Sequence, residues 1–398
     1  MDIRIHPRQL RGDIDIIPSK SQAHRLLICA AFADKPTQIL CAETSRDMDA
    51  TADCLRSLGA EIIRTETGYS VKPAADIPKA AVLNCCESGS TLRFMLPIVG
   101  ALGVDATFQM EGRLPQRPLS PLWEEMERMG CRLSRPTNST IRCQGKLLTG
   151  NYQIDGSVSS QFITGLLLAL SLMDGKSTLT ITGKVESRPY IALTEQVLAL
   201  FEVDSHHLGI KKLHSPGSVT VEGDWSNGAF FLAANALDKN PALLIHGLDS
   251  GSVQGDRAAA RLIPQLCNGF CTIDAADIPD LVPILSITAA ANHGAVFTNI
   301  QRLRIKESDR VASTIAMIEN LGGCATATEG TLTVSGNGLV GGTVDAVNDH
   351  RIAMSAAIAS TVCKEDVILL GADCVKKSYP KFWEEFSRLG GNYEQYLR

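Results

Sequence analysis

Basic side chains recur where the sequence predicts the starts of apolar helices. Residues 18–25 run straight into the apolar segment 26–33, and they carry Lys20 and Arg25. A helix N-terminus has unpaired backbone N–H groups and the positive end of the helix dipole, so cations are unfavourable there. Their presence is explained if an anion lies between them. The spacing therefore predicts an anion-binding site at the mouth of a buried helix.

Further cations occupy the same kind of position along the chain. The set is Lys20, Arg25, Arg93 and Arg117 in the first half, and Lys306, Arg310, Arg351 and Lys377 in the second. For any single arginine a surface salt bridge is the simpler explanation, and such a pair contributes roughly 0–1 kcal/mol. Several cations in one place repel each other, whereas the forked N–H donors of arginine suit phosphate and carboxylate groups. The set therefore predicts two anionic ligands.

Few carboxylates accompany these cations. Asp280 opens a predicted helix, Glu307 lies among the basic residues before the next helix, and Asp47 and Asp349 could orient the cations. Aspartate at a helix start is commonly a cap, and taken alone this is the simpler role for Asp280.

Polar side chains open another apolar helix at Ser159, Ser160 and Gln161. Serine at this position can cap the helix or contact a ligand, and the two roles are compatible. Tyr190, which follows Pro189, could equally be core filling.

A short polar turn that opens into an apolar helix occurs six times, at residues 18–25, 87–93, 158–161, 224–227, 277–280 and 348–351. The spacing of about 55–70 residues marks an internal repeat. Each repeat also has a charge-rich amphipathic helix, at residues 49–58, 121–129, 190–201, 256–266, 310–321 and 382–389. Glycine, the expected C-terminal cap, follows at positions 59, 130, 322 and 390. Runs of β-branched residues at 178–181 and 331–334 predict strands.

Helices that are apolar all round must be enclosed by protein, whereas amphipathic helices can line an outer face. We therefore expect an α/β (α+β) fold: a two-domain inside-out α/β barrel, with buried helices inside and sheets plus amphipathic helices outside. Each domain should contain three repeated βαβαββ-type units. We place the first domain at residues 14–222 and the second at residues 1–13 plus 223–398, with the active site in the cleft between them. The first short strand should pair with the second half of the chain.

Composition argues against several classes of protein. Hydrophobic residues make up 44% of the chain and charged residues 20%, and no apolar run approaches the roughly 20 residues that span a bilayer. The N-terminus lacks the apolar core of a signal peptide, so we expect a cytoplasmic protein. Its 12 cysteines then predict small buried thiols rather than disulfides. The net charge of −5 argues against nucleic acid and membrane surfaces as partners.

We expect no metal and no cofactor. Neither Cys-x-x-Cys nor His-Glu-x-x-His spacing occurs. Gly336, Gly338 and Gly341 match the dinucleotide-binding motif in letters, but no helix is predicted after them. They predict a glycine-rich hairpin connection instead. The phosphate-binding loop motif of nucleotide hydrolases is also missing from the sequence.

Jointly, the motifs resemble those of one family, the 5-enolpyruvylshikimate-3-phosphate synthases (EPSP synthases), within the enolpyruvyl transferases. The matching stretches run in family order over nearly the whole chain, at residues 18–25, 87–93, 114–118, 159–161, 187–190, 278–280, 304–310, 348–351 and 377–380. The resemblance also implies two domains of three repeats each, which agrees with the repeats counted above.

The resemblance implies transfer of the enolpyruvyl group of phosphoenolpyruvate to the 5-hydroxyl of shikimate 3-phosphate, with release of phosphate. This step belongs to the shikimate pathway to chorismate and aromatic amino acids, and both substrates are anions. The implied shikimate 3-phosphate ligands, mainly in the first domain, are Lys20, Ser21, Arg25, Ser159, Ser160, Gln161, Ser187, Tyr190, Asp280 and Lys306. The implied phosphoenolpyruvate ligands are Lys20, Gly89, Arg117, Gln161, Arg310, Arg351 and Lys377. Arg93 and His350 would support them.

The implied reaction needs a base for the 5-hydroxyl, an acid for the phosphoenolpyruvate methylene and donors at the departing phosphate. We expect Asp280 to be the base and Lys20 or Glu307 to deliver the proton. The resemblance further implies a monomer that binds two small molecules.

Arg302 stands where several relatives have asparagine, so no contact is assigned to it. Glu87 replaces an asparagine found in others, and nothing about glyphosate sensitivity follows.

Two alternatives stay open. The sister enzyme that acts on UDP-N-acetylglucosamine has a reactive cysteine in the loop matching residues 111–118, and this sequence has none there. A non-catalytic repeat protein could instead use the cations as an anion-binding surface. The carboxylates Asp280 and Glu307 beside the cations argue against that second alternative.

Overall fold

The computed structural model of the protein describes residues 1–210 and 212–397. The α-helices of this part are α1 (Lys20–Ala31), α2 (Arg46–Ser57), α3 (Gly89–Leu102), α4 (Leu122–Arg128), α5 (Ser160–Ser171), α6 (Arg188–Leu200), α7 (Trp225–Leu237), α8 (Ala259–Asn268), α9 (Val282–Ala291), α10 (Arg310–Asn320), α11 (His350–Ala359) and α12 (Phe382–Arg388). Short 3-10 helices span Leu114–Gln116, Gly255–Ala258, Gln301–Ile305 and Ala372–Lys377.

The strands of the described residues are β1 (Ile3–His6), β2 (Gly12–Asp15), β3 (Thr37–Leu40), β4 (Glu61–Thr65), β5 (Gly68–Lys72), β6 (Ala80–Asn84), β7 (Asp105–Gln109), β8 (Cys131–Thr137), β9 (Thr140–Gly145), β10 (Asn151–Asp155), β11 (Thr178–Thr182), β12 (Ser218–Thr220), β13 (Leu243–His246), β14 (Cys271–Asp274), β15 (Ala295–Thr298), β16 (Cys324–Ala327), β17 (Thr331–Ser335), β18 (Gly342–Asp345), β19 (Val367–Leu370) and β20 (Asn392–Gln395). The sheets run in the order β12-β3-β5-β4, β6-β7-β9-β8, β10-β11, β13-β2, β14-β15-β17-β16 and β18-β19-β1-β20.

The chain divides into two compact units, which we call the first domain (Pro18–Glu222) and the second domain (Met1–Ile17 with Gly223–Arg398). The sequence pattern predicts that residues 14–17 belong to the first domain. They belong to the second because β2 pairs in parallel with β13, so that Ile14 lies opposite Ile245. Strand β1 lies between β19 and β20, which confirms the expected pairing of the first strand with the second half of the chain.

A parallel strand pair accompanies each buried helix. The pairs β6–β7, β10–β11, β14–β15 and β18–β19 enclose α3, α5, α9 and α11 in the chain. The pairs around α1 and α7 are exchanged: β2 precedes α1 but pairs with β13, and β12 precedes α7 but pairs with β3. Antiparallel hairpins β4–β5, β8–β9 and β16–β17 follow α2, α4 and α10. Three of the six repeats therefore have the complete unit predicted from the sequence, hairpin included, among the described residues.

The helices predicted to be enclosed are buried on all sides. In α1 every residue from Gln22 to Ala31 is buried, and in α11 all residues from His350 to Ala359 are. Each domain has its own apolar core, one around α1, α3 and α5 and the other around α7, α9 and α11. Polar residues at the starts of these helices are therefore held in a rigid apolar frame.

The amphipathic helices end as the sequence predicts. Gly59, Gly130, Gly322 and Gly390 follow α2, α4, α10 and α12 with φ angles of 100°, 105°, 84° and 96°. This left-handed backbone region is accessible to glycine without steric cost. Sequence alone could locate these four helix ends because the requirement is local.

The glycine run at Gly336, Gly338 and Gly341 is followed by strand β18, so it does not open a helix. Its predicted role as a hairpin connection was nevertheless wrong, since β17 and β18 lie in different sheets. The run links two repeats, and Gly341 passes close to the backbone of Glu365.

Within the described residues, none of the helices has the length and apolar character needed to cross a membrane. The 12 cysteines are all unbridged thiols.

Helices α3 and α5 of the first domain approach each other at Gly165. Pro97 of α3 has no backbone N–H group, so it cannot donate to the carbonyl of Arg93 one turn earlier. A Cβ atom at Gly165 would overlap this carbonyl oxygen and lie 3.0 Å from Cγ of Pro97. Only glycine allows this approach, which also fixes the backbone that carries Arg93.

We expect Gly165→Ala to lower the free energy of unfolding by about 1–3 kcal/mol, because backbone atoms must move to admit the methyl group. Calorimetric unfolding measures this. Gly269→Ala is the matched control, since Gly269 has an extended backbone and no atom lies within 4 Å of the position that a Cβ atom would take there. Its effect should stay within about 0.5 kcal/mol. Equal effects of the two changes would contradict the close approach of α3 and α5.

Candidate functional site

Charged side chains of the second domain gather where α9, α10 and α11 begin. Members of this ion cluster are Asp280, Lys306, Glu307, Arg310, Asp349 and Arg351. Asp280 follows β14, Lys306 and Glu307 follow a 3-10 helix, and Asp349 caps α11 through the backbone N–H of Arg351. The structure therefore brings together five site residues that sequence analysis predicted, with Asp349 as the predicted orienting carboxylate.

Arg310 is the centre of the ion cluster. Its side chain is 1% exposed, and it donates from Nε to Asp349 at 2.9 Å, from Nη1 to Asp280 at 2.6 Å and from Nη2 to Glu307 at 2.7 Å. Burial by itself opposes the charge, but the carboxylates of Asp349, Glu307 and Asp280 outweigh it and raise the pKa of Arg310. Most of its donors are thus used to hold three carboxylates in place.

Arg351 differs from Arg310 in its hydrogen bonding. Its residue is 3% exposed, and its Nη2 lies 3.9 Å from Oδ2 of Asp280, too far for a hydrogen bond. Its Nε and Nη1 atoms are buried and have no hydrogen-bond partner among the described residues. Buried charged donors are normally paired, because leaving one unpaired costs more than a neutral group would. An anionic ligand would supply the acceptors that this guanidinium lacks.

Asp280 is not a helix cap, so the simpler role considered for it was wrong. Helix α9 begins at Val282, and its N-cap position is Leu281, which makes no side-chain cap. The carboxylate instead lies 2.6 Å from Nη1 of Arg310 and 3.5 Å from Nζ of Lys306. Burial alone would raise the pKa of Asp280, but the charges of Lys306, Arg310 and Arg351 hold it well below its usual range.

The pKa of Lys306 is also lowered, but for a lysine this shift disfavours the charged form. Burial is the main reason why the pKa of Lys306 is lowered, and the charges of Arg310 and Arg302 add to it, while Asp280 opposes the shift. Arg302, to which no contact was assigned from the sequence, thus acts on Lys306 through its charge.

A further carboxyl near this cluster was missed. Asp256, in the 3-10 helix before α8, is 3% exposed and accepts a short hydrogen bond from the hydroxyl of Ser226. Burial and, after it, the negative charge of Asp280 raise the pKa of Asp256 to about 7. No sequence motif marks this residue, because its state depends on burial and on a distant part of the chain.

His350 is the first residue of α11, and Lys377, which ends the 3-10 helix Ala372–Lys377, contacts the segment before α11. Nζ of Lys377 donates to the carbonyl of Asn348 at 2.8 Å, and His350 is 3% exposed. Val347 and Asn348 have φ angles of 44° and 57°, in the left-handed region that side chains disfavour. Strained backbone of this kind is often found at binding sites, where the surroundings hold it in place.

In the first domain, the predicted residues of α1 are firmly held. Nζ of Lys20 lies 3.0 Å from the carboxylate of Asp47. Arg25 donates from Nε to Thr194 at 2.8 Å, and its two Nη atoms donate to the Ser21 carbonyl, the Tyr190 carbonyl and Thr164. Burial lowers the pKa of Arg25 to about 10. Little of this guanidinium is left for a ligand.

The start of α3 brings Gly89 together with two arginines. A Cβ atom at Gly89 would lie 2.5 Å from Nη1 of Arg117 and 2.8 Å from Nη1 of Arg93. Arg93 donates to Oε1 of Gln161 at 2.9 Å, and Gln161 donates to Ser90 at 2.9 Å. Glycine leaves room here for two guanidinium groups beside the start of α3, where backbone N–H groups are unpaired, and this arrangement suits an anion.

The remaining predicted residues lie at the starts of α1, α5 and α6. Ser159 accepts from the backbone N–H of Gln161, so it is a cap, and Ser160 is buried beside it. Ser21 is partly exposed on the first turn of α1. Ser187 has a φ of 56° and is 1% exposed, and Tyr190 is partly exposed in the first turn of α6. The structure does not contradict a ligand contact at any of these positions.

Two threonines that accept hydrogen bonds from Arg25 were also missed. Thr164 and Thr194, which both accept from Arg25, lie 2.8 Å apart inside α5 and α6. A signal existed in the sequence: threonine interrupts apolar helices at these positions, and a buried hydroxyl requires a partner. The identity of that partner could not be deduced from the sequence.

Among the residues that the structure describes, no group of three or more His, Cys, Asp or Glu side chains is placed to hold a metal ion.

Replacing Asp280 with Asn should destabilise the protein near neutral pH, since Lys306, Arg310 and Arg351 lose a shared counter-charge. The pKa of Asp280 in the folded protein lies below the unfolded value of about 3.9. Its stabilisation is therefore present above about pH 4 and is lost as the pH falls through the folded pKa. Thermal unfolding should show that the difference in stability between the parent and the variant is largest near about pH 7 and becomes smaller toward about pH 3.

Asp256→Asn is the matched control for that experiment, with the opposite trend. The pKa of Asp256 in the folded protein is raised to about 7. The contribution of this carboxyl group to the free energy of unfolding is therefore favourable below the unfolded pKa and is lost as the pH rises. This variant should gain stability relative to the parent between about pH 4 and pH 8. The same pH trend in both variants would contradict the opposite environments of the two carboxyl groups.

The chain is similar to known proteins over nearly its whole length. Residues 5–274 and 267–386 match the family model described as EPSP synthase (3-phosphoshikimate 1-carboxyvinyltransferase). The chain is 36% identical to the 3-phosphoshikimate 1-carboxyvinyltransferase of Clostridium kluyveri, over 99% of this chain and 98% of that protein. It is 38% identical to the protein of the same name from Clostridium perfringens, over 97% of this chain and 98% of that one.

The fold is similar to that of solved structures. The EPSP synthase of Acinetobacter baumannii matches with a TM-score of 0.81 at 21% identity, over 99% of both chains. The enolpyruvyl transferase NikO of Streptomyces tendae matches with a TM-score of 0.74 at 17% identity, over 99% of this chain and 98% of that one. These likenesses confirm the predicted fold class. Together with the family model and the clostridial relatives, they show that this chain belongs to the EPSP synthase family.

Proposed function

We propose that the protein transfers the enolpyruvyl group of phosphoenolpyruvate to the 5-hydroxyl of shikimate 3-phosphate and releases phosphate. Its family and the names of its relatives support this reaction. The structural observation that carries it is the buried guanidinium of Arg351, whose Nε and Nη1 have no partner among the described residues. Beside it lies the carboxylate of Asp280, so that an anion site and a candidate base are adjacent.

We assign the phosphoenolpyruvate contacts to cationic and polar residues beside the starts of α3 and α11. Arg351 lies at the start of α11, and Lys377 contacts the segment before α11. Gly89 and Arg117 lie together at the start of α3, with Gln161 held nearby by Arg93. Arg310 contributes mainly by holding Asp280, Glu307 and Asp349, since those carboxylates take most of its donors.

We assign shikimate 3-phosphate chiefly to Lys20, Ser21, Ser159, Ser160, Gln161, Ser187, Tyr190 and Lys306. The hydroxyl groups in this set suit a sugar-like ring with a phosphate, because they can donate and accept. Arg25 is buried and well bonded, so its contribution is to fix the backbone at Ser21 and Tyr190 as much as to add charge.

The reaction involves three proton transfers. The 5-hydroxyl oxygen bonds to the central carbon of phosphoenolpyruvate while Asp280 takes the hydroxyl proton and the methylene carbon gains a proton from Lys20 or Glu307. Phosphate then leaves, and the residue that donated the proton takes one proton back from the new methyl group, which restores the double bond. A general base works best with a pKa near the working pH, yet the pKa of Asp280 is held low by three cations. Anionic substrates would offset those cations and raise it.

The test of the proposal is phosphate release from the parent protein supplied with both substrates, compared with Asp280→Ala. We expect release from the parent and a loss in kcat of about 100-fold or more in the variant, the usual contribution of a positioned base. Asp53→Ala is the matched control, because Asp53 is an exposed partner of Arg56 with 66% of its side chain accessible. It should keep the parent activity.

No phosphate release from the parent would overturn the proposed function. Release with UDP-N-acetylglucosamine in place of shikimate 3-phosphate would favour the sister activity instead. Full activity of Asp280→Ala would overturn only the assignment of the base.

Arg351→Met should raise the KM for phosphoenolpyruvate by about tenfold or more, the expected loss for a charged donor that faces an anion. Steady-state phosphate release measures this change. Arg388→Met is the matched control, since Arg388 pairs with Glu385 on α12 and its side chain is 52% exposed. An unchanged KM in a folded Arg351→Met protein would contradict the role of Arg351.

A monomeric state, a cytoplasmic location and the lack of nucleic-acid and membrane partners stay predictions from the sequence.

A further inference from the structure

A chain of hydrogen bonds crosses the buried interior of the first domain. Nδ1 of His24 lies 2.7 Å from Oγ1 of Thr51, which lies 2.7 Å from Oγ1 of Thr91, which lies 2.7 Å from Oγ of Ser88. All four residues are 0% exposed. Because they lie on α1, on α2 and at the start of α3, this polar network links three helices.

One end of the network lies close to Gly89 and to Asp47, the partner of Lys20. Ser88 is the N-cap of α3, accepts from the backbone N–H of Thr91 and immediately precedes Gly89. Thr91 also reaches the carbonyl of Asp47 at 3.4 Å, and the Asp47 carboxylate holds Lys20 at 3.0 Å. His24 lies one turn after Lys20 on α1. The network therefore connects the first turn of α1 to the first turn of α3.

Donor and acceptor roles in the network follow from its ends. The Asp47 carbonyl can only accept, so a continuous chain runs from His24 Nδ1–H to Thr51, then to Thr91, and then to Asp47 or Ser88. The reverse order would put a proton on Nε2 of His24, which is buried and has no partner among the described residues. Burial, with the charges of Lys20 and Arg25, lowers the pKa of His24 and keeps the ring neutral.

A buried hydroxyl costs free energy unless it is bonded, and valine has nearly the shape of threonine without that cost. Packing alone therefore does not explain hydroxyl groups at Thr51 and Thr91. The hydroxyl groups instead restrict the relative orientation of the helices, because each hydrogen bond has a preferred geometry.

We propose that His24, Thr51, Thr91 and Ser88 form a positioning network that holds the starts of α1 and α3 in one relative geometry, so that Lys20 and the Gly89 turn meet phosphoenolpyruvate together. This inference rests on the proposed function, because it concerns the same substrate. None of the four side chains touches the reacting atoms. They act through Lys20, Asp47 and Gly89.

Thr91→Val is the test, measured by phosphate release over a range of phosphoenolpyruvate concentrations. We expect the KM for phosphoenolpyruvate to rise about five- to tenfold, the effect of losing one hydrogen bond that places a binding group. Thr91→Ser, which keeps the hydroxyl, should restore the parent KM. A merely structural role would lower the amount of folded protein and hence the apparent kcat, and would leave the KM unchanged.

Thr37→Val is the matched control in the same domain. Thr37 is 0% exposed, its hydroxyl lies 2.6 Å from that of Ser215, and it follows the opposite end of α1. This variant removes the same kind of bond, so it should lose comparable stability and keep the parent KM. An equal rise in KM for Thr37→Val and Thr91→Val would overturn the inference, as would a parent-like KM for Thr91→Val.

A second pair of variants decides the matter if Thr91→Val does not fold. His24→Asn keeps an N–H group near the position of Nδ1, whereas His24→Leu removes it. We expect a KM close to that of the parent for the first and a raised KM for the second; equal values would overturn the inference. If the parent itself releases no phosphate, the proposed function fails and this inference fails with it.

Discussion

Arg310 is almost fully buried and donates hydrogen bonds to three carboxylates. Its bonds to Asp280, Glu307 and Asp349 bring together the segments before α9, α10 and α11. Removing one partner would leave buried charge uncompensated, which is why buried clusters of this kind resist change. The position of Asp280 beside Arg351, on which the proposed chemistry depends, follows from this single guanidinium.

Two buried arginines, one in each domain, have different kinds of hydrogen-bond partner. In the first domain, Arg25 is bonded to hydroxyl and carbonyl groups, which are neutral, so its charge is not cancelled. In the second domain, Arg310 is bonded to carboxylates. Arg25 thus keeps an uncompensated charge, whereas the charge of Arg310 is compensated by carboxylates.

Much of the fold could be predicted because its determinants are local. Apolar helices such as α1 and α11 are buried on all sides, and the glycines that end α2, α4, α10 and α12 have the left-handed backbone expected of them. Predictions that depended on distant pairing were less accurate. Strand β2 pairs with β13, so residues 14–17 belong to the second domain and not to the first as predicted. The glycine run after β17 links two sheets and does not form a hairpin.

The sequence by itself determined which residues could do chemistry and in which elements they lie, because residue type, helix periodicity and turn residues are properties of short stretches. It identified Lys20, Arg310, Arg351 and Asp280 as members of the candidate site. Only the tertiary structure decided their states: Asp280 became a counter-ion instead of a cap, Arg351 kept buried donors without partners among the described residues, and Asp256 joined the site. The reason is that burial and charge–charge interaction depend on groups distant in sequence, whose separation the chain order does not specify.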